Sequence, residues 1–142
     1  HILAPMRRDE GVSAIDLKRR MQKVALEKVG VVRDENGLKE ALQALSEMRE
    51  ESARTMVRDK NPVYNIEWIE ALQVENMLTT LEMITRSALM RNESRGVHYR
   101  RDFPESDDSN WLRHIVVKKR DEEMVLDTTP VVMTRMKPGG AA

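Results

Sequence analysis

The chain has 142 residues, of which 34% are charged, with 24 Lys+Arg balanced by 24 Asp+Glu and no cysteine. That length is one ordinary domain, too short for a dinucleotide-binding domain together with a catalytic one, and the balanced charge gives nucleic acid no electrostatic handle. The lack of cysteine excludes a disulfide framework, a thiolate metal site and a cysteine nucleophile and fits a reducing compartment, while no apolar run approaches the roughly 20 residues of a membrane span and no signal peptide is visible, so the expectation is a soluble chain without direct membrane insertion.

Residues 1–12, with Pro5, the run Arg7-Arg8-Asp9-Glu10 and Gly11, read as a flexible lead-in. Ser13 with Asp16 three residues later is a helix-start pattern. Ile15, Leu17, Met21, Val24, Ala25 and Val29 then recur at mainly helical spacing until Gly30 closes the element. After the apolar bridge Val31-Val32, the turn Asp34-Glu35-Asn36-Gly37 feeds a second helix through Asn36 or a neighbour, with Leu38, Ala41, Leu42, Leu45 and Met48 as one apolar stripe. This helix fades through Glu51, Arg54, Arg58 and Asp59 into a loop at Asn61-Pro62. Asn65 is the expected cap of a third helix of about seven turns. Its expected buried positions are Trp68, Ile69, Leu72, Asn76 or Met77, Leu81, Ile84 and Ala88. The stretch from Met77 to Met90 is apolar enough to be covered on more than one face, which puts it at the centre of a bundle or against another domain.

The third helix runs into a polar stretch from Arg91 to Asp102. Gly96 is expected to cap it in a left-handed conformation, with Arg91 and Arg95 beside the unpaired carbonyls at its negative end. Past Gly96 the spacing alternates, so that His98, Arg100 and Asp102 point one way and Val97, Tyr99 and Arg101 the other. Such a comb is either a solvated, charged loop or a docking edge. Phe103 to Ser109 is a turn-rich acidic connector. Trp111 to Lys118 has strand composition, Met124-Val125-Leu126 and Val131-Val132-Met133 are candidate return strands, Lys119 to Glu123 is the expected hairpin loop, and Pro130 breaks the run between the last two. Residues 137–142, containing Pro138-Gly139-Gly140, are expected to be disordered. Ten methionines against one phenylalanine point to an aliphatic, adaptable core. The expected fold is mainly α: a spectrin-repeat-like three-helix bundle running up-down-up over residues 13–102, then a connector and a small C-terminal β-hairpin or sheet over 103–136.

Catalytic chemistry is hard to place on this chain. His1, His98 and His114 are scattered, with no metal-ligand spacing, and no glycine-rich loop follows a strand, so no metal, dinucleotide or P-loop site is expected. Ser94 lacks the G-x-S-x-G context of a nucleophile, and Asp107-Asp108 reads as a solvated turn. His98 followed by Arg100 suits either a bound carboxylate or phosphate or an interdomain salt-bridge network. RNA binding through Arg95, Tyr99, Arg100 and Arg101 has the residue types but no recognised module around them.

The string Glu93-Ser94-Arg95-Gly96-x-His98-x-Arg100-x-Asp102-Phe103-Pro104 resembles the signature near the end of the flavoprotein subunit of succinate dehydrogenase and fumarate reductase. Asn65 to Arg91, with Asn65-Ile66-Glu67-Trp68-Ile69-Glu70-Ala71-Leu72 and Asn76-Met77-Leu78, extends the resemblance. So do Asp107-Asp108-x-Asn110-Trp111-Leu112-x-His114 downstream and Met21-Gln22 and Val29-Gly30-Val31-Val32-Arg33 upstream, which brings nearly the whole chain under it. The resemblance implies the C-terminal helical domain of such a subunit, non-catalytic by itself, docked on the flavin-binding domain of the same chain through Arg91, Glu93, Ser94, Arg95, Gly96, His98, Arg100 and Asp102. It implies FAD in the parent protein and none held here, an iron-sulfur partner subunit, and a place at the cytoplasmic face of a membrane through partner subunits. L-aspartate oxidase has a similar domain and signature and is the nearest competing family; a stand-alone helical interaction module is the alternative of another class.

Overall fold

The computed structural model describes residues 2–134, so the tail expected over 137–142 and the last two positions of the 103–136 region lie outside the described residues. In chain order the elements are β1 (Val12–Ser13), α1 (Ala14–Lys28), β2 (Val32–Arg33), α2 (Glu35–Ser52), β3 (Thr55–Met56), α3 (Ile66–Met90), β4 (Tyr99–Arg100), α4 (Asp108–Trp111), β5 (Arg113–Arg120) and β6 (Glu123–Pro130). A short 3-10 turn at Pro5–Arg7 precedes them.

Each long helix starts where a short polar side chain closes its first turn, which satisfies backbone donors the helix cannot pair itself. The Ser13 hydroxyl accepts from the Asp16 N–H, the Asp34 carboxylate from the Gly37 N–H at 2.8 Å, and the Asn65 carbonyl from the Trp68 N–H at 2.9 Å. The α2 cap is therefore Asp34, not Asn36, which lies inside the first turn: Asp34 has the extended backbone a cap needs. Asn65 also donates to the Asp59 and Asn61 carbonyls at 2.7 and 2.8 Å, tying the loop around Pro62 to the start of α3.

Ion pairs report the helix directions. Arg20–Glu51 at 2.6 Å and Lys28–Glu40 at 2.5 Å pair the middle of α1 with the end of α2 and the end of α1 with the first half of α2, so these two run antiparallel. Lys18–Glu70 at 2.7 Å pairs the starts of α1 and α3, which run parallel. This is the expected up-down-up bundle. Its core is Ala14, Leu17 and Met21 of α1, Leu38, Ala41, Leu45 and Met48 of α2, and Ala71, Val74, Leu78, Leu81 and Ala88 of α3, with Val29 just after α1 and Val57 from the loop between β3 and α3.

The buried stripe of α3 keeps Leu81 and Ala88 of the expected one and otherwise departs from it. Ala71, Val74, Leu78, Leu81, Thr85 and Ala88 repeat at spacings of three and four and face the bundle, whereas Ile66, Ile69, Leu72 and Ile84 are exposed and Trp68 is half-buried. Both stripes are helical in period, and α3 carries apolar residues on more than one face; small residues at 71, 74 and 88 let the other two helices approach the face that wins.

Two parallel two-residue ladders stitch the connections. β1 pairs with β3, and β2 pairs with β4 in the register Val32↔Tyr99 and Arg33↔Arg100. The C-terminal hairpin β5–β6 runs in register from Arg113↔Pro130 to Arg120↔Glu123. Its loop is the two residues Asp121-Glu122, both at positive φ, rather than the five expected, because that primed turn follows the natural strand twist. Trp111 closes the one-turn helix α4 instead of opening a strand. Val131 to Met133 forms no strand; after Pro130 the Val131 N–H returns to the Leu112 carbonyl at 3.2 Å. No helix among the described residues is long and apolar enough to cross a membrane.

Candidate functional site

The polar stretch after α3 takes its shape from β2. Tyr99 N–H donates to the Val31 carbonyl at 3.2 Å and Arg101 N–H to the Arg33 carbonyl at 2.8 Å, which lays the strip across the link between α1 and α2. α3 ends at Met90 and Arg91 is already extended, so Gly96 is not the helix cap. Its positive φ of 57° instead turns the chain between Arg95 and His98, whose backbones pair at 2.8 and 3.0 Å. From there the expected alternation holds as far as Arg101; Asp102, expected on the inward side, is exposed because the chain turns at residues 101–102. His98 and Arg100 point inward, while Val97, Tyr99 and Arg101 face out, Val97 at 78% exposure. The inward side faces this domain's own helices.

Arg100, 1% exposed, closes the negative end of α3, a place sequence reasoning assigned to Arg91 and Arg95. Its Nη1 donates to the Ala88, Leu89 and Arg91 carbonyls at 2.9, 3.2 and 3.2 Å, and its Nε and Nη2 grip the Asp102 carboxylate at 2.8 and 2.6 Å. Asp102 also accepts the Glu35 N–H at 3.1 Å, which joins the strip to the first turn of α2. The Arg100 hydrogen bonds hold the Asp102 carboxyl down at about 2.

Arg91 and Arg95 converge on Glu93, which is fully buried. Arg95 donates to both Glu93 oxygens at 2.9 Å, Arg91 pairs with Oε1, and the Asp107 N–H donates to Oε2 at 2.8 Å. Burial pushes the Glu93 carboxyl up, but the bonds from Arg95, the Asp107 backbone and Arg91 overcome it and leave the group at about 2. Arg95 reaches on to Asp108 at 2.6 Å, and Arg91 to the Trp111 and Arg113 carbonyls at 3.0 and 2.6 Å, with its guanidinium 5.1 Å from the centre of the Trp111 ring. Ser94 fastens the turn, its hydroxyl accepting the Arg100 N–H at 2.9 Å and donating to the Phe103 carbonyl at 2.7 Å. Asp108, read from sequence as part of a solvated turn, is thus an outer member of the network.

His98 is half-buried with Nδ1 2.6 Å from Arg33 Nη1 and Nε2 3.4 Å from the Arg91 carbonyl. Arg33 has only donors, so Nδ1 accepts and Nε2 carries the proton. Burial, then the Arg33 charge, lower the His98 pKa and favour this neutral form. Sequence reasoning gave Arg33 no role at the site; nothing local announces it, because its partner is 65 residues away. His114 lies exposed on β5. No cluster of His, Cys, Asp or Glu suited to a metal is found among the described residues.

Among the described residues, a flavin dinucleotide finds no seat by the glycine-turn route. Its pyrophosphate needs open backbone donors at a helix start reached through a glycine turn, and the first turns of α1, α2 and α3 are closed by Ser13, Asp34 and Asn65.

Residues 18–141 match the family described as "Fumarate reductase flavoprotein C-term". The succinate dehydrogenase flavoprotein subunit of Rickettsia bellii is 34% identical over 127 residues, covering 88% of this chain and 21% of that protein. The fumarate reductase flavoprotein subunit of Helicobacter pylori is 37% identical over 113 residues, covering 80% of this chain and 16% of that one. Among solved structures, the Mycobacterium smegmatis Sdh1 complex in its apo form superposes with a TM-score of 0.80 at 32% identity, over 96% of this chain and 23% of that one. The chain thus spans 16 to 21% of the length of these two relatives.

Proposed function

We infer the following role for this chain, which belongs to the fumarate reductase flavoprotein C-terminal family: it is the helical domain that packs against the flavin-binding part of a FAD-dependent subunit interconverting succinate and fumarate. It carries no catalytic group of its own. The FAD and the dicarboxylate are held by the remainder of the subunit, electrons pass to an iron-sulfur partner, and the assembly sits at the cytoplasmic face of a membrane through other subunits.

The signature residues serve this role as a rigid frame. Glu93 and Arg100 hold the strip from inside with Arg91, Ser94 and Asp102, Gly96 turns it, and Arg95 and His98 stand at its rim. The observation that supports docking is what this frame leaves outside: Val97 and Tyr99 exposed, on a strip braced by ion pairs to the buried Glu93 and Arg100. An apolar pair on a fixed support suits a permanent neighbour better than water.

Producing the chain and the flavin-binding remainder of its subunit as two polypeptides tests this. The chain alone should be colourless and its Tm unmoved by FAD or fumarate. Mixed, the two should co-elute and the remainder should keep its flavin longer; Val97→Asp should weaken that association about tenfold or more. A colourless chain that never associates with the remainder would sink the reading.

A further inference from the structure

We propose that the cleft between α3, β2 and β5 that holds Arg33 and His98 is a carboxylate seat, filled in the assembled subunit by an acidic side chain of the flavin-binding part. The inference rests on the docking role above and names what docks there.

The cleft is open to the surface and has a volume of about 400 Å³. Its walls are largely apolar, with Met83, Ile84 and Ala88 of α3 and Ile115 of β5 opposite Arg33 and His98. The charges acting on His98 are Arg33 from β2, Arg100 from β4 and Arg91 from the end of α3, all cations, and Arg33 touches the ring. Two of these are neutralised within the domain, Arg91 by Glu93 and Arg100 by Asp102. Arg33 has no carboxylate partner among the described residues. Its Nε bonds the Val29 and Gly30 carbonyls at 3.1 and 2.5 Å and its Nη1 the His98 ring, which leaves Nη2 without an acceptor among them.

A half-buried guanidinium held against a neutral imidazole and apolar walls is an unbalanced arrangement. Burial lowers the Arg33 pKa, with the Arg100 charge acting in the same direction. A carboxylate entering the cleft would bind the free side of the guanidinium, and its negative charge would offset that of Arg33 beside the imidazole. Ile84, 46% exposed at the rim, favours an occupant carried on a protein surface over a free anion, because covering that side chain rewards apolar contact at the same step.

The test follows C2–H exchange of His98 by mass spectrometry against pH, in the chain alone and in the chain assembled with the flavin-binding remainder. Because a carboxylate favours the imidazolium, the midpoint should rise by one pH unit or more on assembly. Arg33→Gln should weaken assembly tenfold or more, while Arg101→Gln, on the outward side of the strip, should change it less than twofold. Assembly with an unmoved or lower His98 midpoint would overturn the acidic occupant and leave docking standing. Failure to assemble would overturn both. A midpoint that rises when succinate is added to the chain alone but not on assembly would show that the seat takes a free carboxylate, and would overturn the side-chain occupant.

Discussion

Arg100 and Asp102 meet as a two-pronged ion pair, Nε to Oδ1 at 2.8 Å and Nη2 to Oδ2 at 2.6 Å, and together they fasten the end of α3 to the start of α2. Asp102 is itself partly exposed, but removing it leaves the buried Arg100 guanidinium with carbonyl acceptors and no counter-charge among the described residues. Asp102→Ala should therefore lower the urea midpoint by an amount corresponding to about 2 kcal/mol. Asp108→Ala, which removes an exposed partner of Arg95, should cost less than about 1 kcal/mol in the same measurement.

Acid stability should follow Glu93 and Asp102. Both carboxyls titrate lower in the folded chain than in the unfolded one, at about 2 against ordinary values of 4.5 and 3.8. Their contribution is therefore complete above the unfolded values and is lost as pH falls through about 4.5 towards 2, since the unfolded chain takes up protons first. Urea midpoints measured from pH 7 to pH 2 should drop over that window. Glu93→Gln should be less stable at pH 7 and show a shallower acid slope, because one of the two linked protons is gone.

Gly11 and Gly96 both have positive φ and should respond differently to alanine. A Cβ at Gly11 would lie 2.2 Å from the Arg54 carbonyl oxygen, part of the backbone where β1 meets β3, whereas a Cβ at Gly96 meets nothing within 4 Å. Gly96→Ala should cost about 1 kcal/mol of backbone strain alone. Gly11→Ala should cost clearly more, about 2 to 3 kcal/mol, because a ladder must shift as well. Thermal unfolding of the two variants side by side checks the order.

Leu78 and Ile69 separate the buried face of α3 from the exposed one. Leu78 is fully buried, so Leu78→Ala should cost about 3 kcal/mol through lost transfer energy and a cavity. Ile69 is 50% exposed, and Ile69→Ala should cost less than about 1 kcal/mol in the chain alone. Equal losses in urea titrations would mean that α3 packs through the other stripe.

Ser13 and Asn65 as caps, the apolar stripe of α2 and that of α1 apart from the exposed Ile15, the up-down-up order and the inward-outward alternation from Val97 to Arg101 were all legible in the amino-acid sequence. Each depends on residues a few positions apart, within reach of one helical turn or one strand pleat. Three things were decided only in three dimensions. Which apolar face of α3 enters the core depended on small residues meeting two other helices. The charge closing α3 came from Arg100, beyond a turn at Gly96, and not from Arg91 or Arg95. The pairing of β2 with β4 set Arg33 against His98. These contacts join segments that are distant along the chain, and no local spacing encodes which of several suitable side chains will arrive first at a carbonyl or a ring nitrogen.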